Sequence, residues 1–73
     1  MNVNQIETEV KRLTQRVKAL HNGDWLAVGF GGDGWYARCP FGSVIPGRGK
    51  TPQEAMDEFE RNLNIAEARQ EAA

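Results

Sequence analysis

Residues 47–55 constrain the fold most strongly, because they specify where a helix must begin. Thr51 is a good N-cap, and Pro52 follows at the first helical position, where its missing N–H costs nothing. Glu54 stands three residues after Thr51 and completes a capping box. The sequence therefore predicts a helix over residues 52–69, entered from a glycine-rich segment.

The interior of this helix carries one apolar stripe at helical spacing. Its members are Ala55, Met56, Phe59, Leu63 and Ala66. Ile65 lies outside the stripe, so its side chain is either a contact at the rim of the core or part of a surface for a partner molecule.

The N-terminal segment predicts another helix over residues 3–21, ended by Asn22-Gly23. Apolar residues recur at alternating steps of three and four: Val3, Ile6, Val10, Leu13, Val17 and Leu20. Two interpretations are open. The helix packs on a sheet within its own domain, or residues 6–20 of the stripe self-associate as a helix–helix seam and give a homodimer.

The middle of the chain predicts a β-hairpin and a short third strand. Residues 25–30 and 35–40 are rich in aromatic and β-branched side chains, and the glycine-rich residues 31–34 between them suit a turn. In the first strand, Leu26, Val28 and Phe30 are expected on the core face. Residues 43–46 are predicted as a third strand.

The fold class is therefore α+β, in the order α-β-β-β-α, with two or three antiparallel strands. A length of 73 residues predicts a single small domain over 1–73. A chain of this size buries a limited core, which favours self-association.

Charge is unevenly distributed although the formal net charge is only −1. Residues 11–50 carry seven basic residues against two acidic ones, whereas residues 51–73 carry two basic against six acidic. A basic face built from residues 11–50 could bind nucleic acid. The residues predicted to contact an anion or nucleic acid are Arg12, Arg16, Arg48 and Lys50. Arg48 and Lys50 precede a helix N-terminus, where free N–H groups favour an anion.

The aromatic side chains of the hairpin predict a contact surface for a protein partner. Trp35, Tyr36 and Arg38 fall together in the second strand, and aromatic residues with arginine are enriched at contact sites. With Ile65, they are the predicted partner-binding residues.

Catalytic and cofactor motifs find little support. Residues 29–34 formally match G-x-G-x-x-G, but a strand follows instead of the helix that a dinucleotide site needs. His21 and Cys39 are the only histidine and cysteine, and they fall in different elements. We expect a non-enzymatic protein with no cofactor and no metal.

The chain has no apolar run long enough for a signal peptide or a membrane span, and a single cysteine fits a reducing compartment. We therefore expect a cytoplasmic protein that does not contact membranes.

Residues 25–66 resemble the N-terminal domain of HicB-type antitoxins. In that family a strand ending near a proline leads to a glycine-containing strand and a G-x-T-x-E-E-A helix start. Here residues 35–41 supply the strand, and residues 49–55 read G-K-T-P-Q-E-A. The resemblance implies an α+β fold that binds a protein partner and self-associates. The preceding helix is not part of the family pattern.

The order helix, three strands, helix is also similar to that of double-stranded RNA-binding domains. Those domains meet phosphate with lysines at the start of the last helix. Here only Lys50 precedes that helix, and the acidic residues Glu54, Asp57 and Glu58 follow. Carboxylates repel phosphate, so this helix is not expected to bind RNA.

These patterns favour a small interaction module that regulates or inhibits a protein partner. Stand-alone binders of this kind are frequent among phage and mobile-element products. The alternatives are a nucleic-acid-binding module and a purely structural, self-associating protein.

Overall fold

A computed structural model describes residues 3–72 of the chain. It confirms the predicted α+β order of a helix, a three-stranded antiparallel sheet and a second helix. The elements are α1 (Val3–Leu20), β1 (Ala27–Gly31), β2 (Gly34–Arg38), β3 (Gly47–Gly49) and α2 (Pro52–Ala72).

The sheet has the order β1-β2-β3, with both neighbouring pairs antiparallel. A two-residue turn joins β1 to β2, and Gly31 pairs with Gly34 across it. Gly32 takes a φ of +65° at the first turn position. That positive φ suits a type II′ turn, whose twist matches the twist of the flanking strands. The predicted turn over residues 31–34 is confirmed.

Strand β1 begins at Ala27, two residues later than predicted. The backbone N–H groups of Trp25 and Leu26 donate to side chains instead of a neighbouring strand. Trp25 donates to Asp24 Oδ1 at 3.0 Å, and Leu26 donates to Thr14 Oγ1 at 3.4 Å. Strand β2 ends at Arg38, because Cys39 starts a β-turn that closes with a hydrogen bond from Gly42.

The predicted third strand over residues 43–46 is wrong, because this segment is a loop and β3 is Gly47–Gly49. The loop backbone is again bonded to side chains. The Ser43 N–H donates to Asp24, and the carbonyls of Ile45 and Pro46 accept from the Asn62 side chain. A backbone whose polar groups are satisfied in this way has no need of a ladder partner.

Strand β3 consists largely of glycine because α2 lies directly against it. A Cβ at Gly47 would overlap the Ala55 carbonyl oxygen and the Phe59 backbone nitrogen of α2. A Cβ at Gly49 would overlap Glu54 in the same way. The glycines therefore allow a close helix–strand contact, and this contact is what makes a glycine-rich segment a strand.

Helix α2 starts at Pro52, as predicted, with Thr51 as its N-cap. The N–H of Glu54 donates to Thr51 Oγ1 at 3.1 Å, and the N–H of Ala55 donates to the Thr51 carbonyl. The predicted apolar stripe faces the sheet, and Phe59 and Leu63 are completely buried. The helix extends to Ala72, beyond the predicted end at residue 69.

Both helices pack on the same face of the sheet. Leu13 and Val17 of α1 are completely buried in the core, and the remaining members of the stripe, Ile6, Val10 and Leu20, are partly buried against it. The side chain of Val3 lies outside what the structure describes. The core combines these α1 residues with Leu26, Ala37, Cys39 and Val44 and with the stripe of α2.

The core face expected for the predicted first strand, residues 25–30, is right for two of three residues. Leu26 is buried and Val28 packs against the core, but Phe30 is 67% exposed. Phe30 lies opposite Trp35 at the hairpin end of the sheet, with the ring centroids 5.5 Å apart. It therefore faces the side of the sheet that carries the helices, with most of its surface outside the core.

Candidate functional site

The four predicted partner-binding residues lie in three different places. Trp35 faces the helices and packs against the core. Tyr36 and Arg38 alternate with Trp35 along β2, so they lie on the opposite face of the sheet, which we call the open face. Ile65 is on α2 and is 51% exposed. No single surface therefore contains all four.

The open face is centred on Tyr36. Its ring lies over Gly29, its cross-strand partner on β1, so that a Cβ at Gly29 would be 2.6 Å from the hydroxyl. The Arg38 guanidinium lies 5.8 Å from the ring centroid, and Arg48 pairs with Tyr36 from β3. A tyrosine between two arginines is a surface suited to a planar or anionic group. The ring over glycine also has a purely structural role, because it covers bare backbone.

Two of the predicted anion-contacting residues are engaged within the chain. Arg12 and Arg16 of α1 face the acidic helix α2 and form a network with its carboxylates. Arg12 pairs with Glu60 at 2.8 Å, and Arg16 pairs with Glu60 at 2.8 Å and with Glu67 at 2.6 Å. Hydrogen bonds from Arg12 hold the pKa of Glu60 below its usual value. These guanidinium groups are therefore largely neutralised by neighbouring carboxylates.

The start of α2 gives an anion little to bind. Thr51 already takes the Glu54 N–H, and the Arg48 N–H donates to a Glu58 carboxylate oxygen at 3.3 Å. The exposed Asp33 and Glu54 line the same shallow depression as Arg48 and Lys50. Carboxylates so close to the two cations would repel a phosphate group.

A groove of about 470 Å³ lies between the loop over residues 42–45 and the second half of α2. Ile45, 68% exposed, stands on the loop side, and Ile65 stands on the helix side. Leu20, Val44 and Ala66 add apolar surface, and Asn62 spans from α2 to the loop backbone. We call this the apolar groove. Its loop side was missed in the sequence because residues 43–46 were predicted as a strand.

An exposed aromatic pair continues the apolar surface beside the groove. Phe41 directly precedes Gly42 of the groove lining, and its ring meets Trp25 edge-to-face at a centroid distance of 5.7 Å. Phe41 is 67% exposed and Trp25 is 43% exposed. Large exposed apolar side chains that lie together mark contact sites more often than scattered ones do.

Asp24 holds the loop that forms this surface, a role that no pattern in the sequence predicts. Its side chain is completely buried and accepts four hydrogen bonds. The donors are the N–H groups of Trp25, Phe41 and Ser43 and the hydroxyl of Ser43, at 2.6–3.3 Å. Burial opposes the charged form, but these hydrogen bonds outweigh it and lower the pKa of Asp24.

The only thiol and the only imidazole do not form a catalytic pair. Cys39 is buried in the core, where burial raises its pKa and disfavours the reactive thiolate. His21 is exposed at the end of α1, on the rim of the apolar groove. Within residues 3–72, no three His, Cys, Asp or Glu side chains are placed to hold a metal ion.

Comparisons with protein-family models, with curated proteins and with solved structures found nothing that matches this chain. The resemblances to HicB-type antitoxins and to double-stranded RNA-binding domains stay predictions. Neither helix of the described part of the chain is apolar over the length that a membrane span requires.

Proposed function

We propose that the protein is a non-enzymatic interaction module that binds a protein partner through the apolar groove and the Trp25–Phe41 pair beside it. The observation that supports this most directly is that Ile45 and Ile65, both more than half exposed, line the same groove from opposite sides. Exposed isoleucines that converge on one concavity lose water when a partner's apolar side chain enters, which is favourable.

A regulator or inhibitor fits this surface. The groove is of the size that receives one or two side chains, and the aromatic pair beside it provides a flat apolar rim. The resemblance to HicB-type antitoxins implies the same mode of action, in which a small α+β protein binds a protein partner. A phage or mobile-element origin belongs to the same proposal.

The test is affinity capture of the tagged protein from lysate of its host, with and without nuclease, followed by mass spectrometry. We expect a stoichiometric protein that survives nuclease treatment, and we expect the double variant Ile45→Asp/Ile65→Asp to lose it. Ala68→Asp is the matched control, because Ala68 is exposed on the same helix outside the groove. Capture that is equal for the double variant and the control would contradict the proposal.

A second candidate function, nucleic-acid binding, is favoured by the open face alone. Tyr36 could stack on one base while Arg38 contacts a phosphate. One phosphate contact gives a slope of about −0.7 for log K against log salt on a single strand. Fluorescence anisotropy with a labelled oligonucleotide would measure that slope. If the protein binds nucleic acid through the open face, we expect the variant Tyr36→Ala/Arg38→Ala to abolish oligonucleotide binding. If it binds a protein through the apolar groove, the same variant should leave protein capture unchanged.

A further inference from the structure

The two outer edges of the sheet differ in how their backbone is protected. On β3, the N–H of Arg48 donates to the Glu58 carboxylate of α2, so a side chain occupies that edge. Pro46 and Lys50 flank the strand, and both residue types discourage a further strand from pairing. The edge of β3 is therefore closed to another chain.

The edge of strand β1 has none of these protecting features. It reads A-V-G-F-G, with no proline and no charged residue over its five positions. Among the described residues, no side chain bonds to the backbone of Val28 or Phe30. An edge strand of this kind is a template for the addition of another strand.

The hairpin register identifies the backbone groups that point outward from β1. A two-residue turn closes on a hydrogen-bonded pair, here Gly31 and Gly34. Hydrogen-bonded pairs alternate along an antiparallel ladder, so Gly29 and Ala27 also bond to β2. The N–H and C=O groups of Val28 and Phe30 therefore face the open edge.

We propose that a second copy of this chain pairs with β1 through antiparallel addition of its own β1, giving a continuous six-stranded sheet. A two-fold axis at Gly29 places Val28 of each chain opposite Phe30 of the other chain. All four outward backbone groups on each chain then find a partner. No other register about a two-fold axis pairs Val28 and Phe30 with each other.

The side chains favour the same arrangement. Val28 and Phe30 both lie on the helix side of the sheet, so each exposed Phe30 ring would cover a Val28 of its partner. Aromatic and β-branched residues make favourable cross-strand pairs. On the open face, the pairing brings together only Ala27, Gly29 and Gly31, whose small side chains present no steric obstacle.

The same arrangement accounts for a homodimer without the helix seam. The seam would require Leu13 and Val17, which are completely buried within the single chain. The β1 edge, in contrast, has no strand beyond it in the sheet. This inference is independent of the protein partner proposed above, because the apolar groove is formed by other residues.

The experiment is sedimentation equilibrium on the wild type and on Phe30→Lys, over protein concentrations from about 1 to about 500 μM. We expect the wild type to approach twice the 8.1 kDa chain mass and the variant to remain at the chain mass. The loss of two buried phenylalanine rings should raise the dissociation constant roughly a hundredfold. Phe41→Lys is the matched control, because Phe41 is also 67% exposed but lies outside β1, and it should dimerise like the wild type.

Hydrogen exchange supplies a test that needs no variant. The amides of Val28 and Phe30 should become more protected as the wild-type concentration rises, whereas the amides of Gly29 and Gly31 should be protected at every concentration. A wild type that stays at the chain mass throughout overturns the proposal. A dimer that Phe30→Lys leaves intact overturns it as well. If that dimer is instead lost in Ile6→Asp/Val10→Asp, the contact between the two copies belongs to α1.

Discussion

The Ser43 hydroxyl donates a hydrogen bond of 2.6 Å to the carboxylate of Asp24, across 19 positions of the sequence. With the three amides that donate to the same carboxylate, it fastens the loop after β2 to the end of α1. The loop carries one side of the apolar groove and Phe41. The surface proposed to bind a partner therefore depends on a buried charge that does not itself contact the partner.

Replacing Asp24 should destabilise the protein strongly. Asp24→Ala leaves three amides and a hydroxyl without their acceptor in a buried site, at a cost of about 3 kcal/mol in the free energy of unfolding. Ser43→Ala removes one donor and should cost about 1 kcal/mol. Urea denaturation measures both. Asp33→Ala, at a fully exposed aspartate, is the control and should change nothing measurable.

Acid should destabilise the folded chain through the same carboxylate. The pKa of Asp24 is lowered in the folded state, so its contribution to stability is complete above the unfolded value, about 3.9, and is lost as the pH falls through the lower folded value. The lowered pKa of Glu60 acts with the same sign. Asp24→Asn should therefore show a shallower loss of stability below about pH 4 than the wild type. Equal slopes for the two proteins would assign the acid sensitivity to other groups.

The contact between β3 and α2 should not tolerate a methyl group. Gly47→Ala places a Cβ inside the backbone of α2 and should lower the free energy of unfolding by about 3 kcal/mol, because rigid backbone must move. Gly31→Ala is a matched control in the same sheet. Its Cβ would lie 3.6 Å from the Tyr36 ring, an ordinary contact, so its thermal midpoint should stay near that of the wild type.

The network between α1 and α2 should contribute modestly and should weaken with salt. Glu60 accepts hydrogen bonds from both Arg12 and Arg16, and all three side chains are partly exposed. Glu60→Gln should cost about 1 kcal/mol at low ionic strength and less at high salt, because water and ions screen exposed pairs. Thermal denaturation at two salt concentrations measures the difference. Asp57→Gln, on the same helix but outside this network, is the control. If both variants show the same salt dependence, the network does not contribute as expected.

The sequence predicted the elements whose signals are local. The Thr51 N-cap, the α2 stripe and the turn over residues 31–34 each depend on residues within a few positions, and all three are confirmed. Gly23 takes the predicted left-handed conformation, with a φ of +97°, but it does so in the turn from His21 to Asp24 that follows α1. Local backbone chemistry decides these features, so neighbouring residues suffice to predict them.

The features that were missed depend on distant partners. Strand β3 requires the approach of α2 to Gly47, which the glycine-rich sequence does not reveal. Residues 43–46 looked like a strand, but Asp24 and Asn62 bond to their backbone. Charge counting placed Arg12 and Arg16 on a basic face, whereas packing sets them against carboxylates more than 40 positions away. Asp24 itself has no sequence pattern that distinguishes a buried acceptor from an exposed aspartate.

The contacts between the helices join parts of the chain that are made at different times during synthesis. Arg12 is 48 positions from Glu60, and the buried α1 residues Leu13 and Val17 share a core with Phe59 and Leu63. The ribosome makes α1 before α2, so the apolar side of α1 stays uncovered until α2 has emerged. Until then, the nascent chain exposes this apolar side to chaperones and to aggregation.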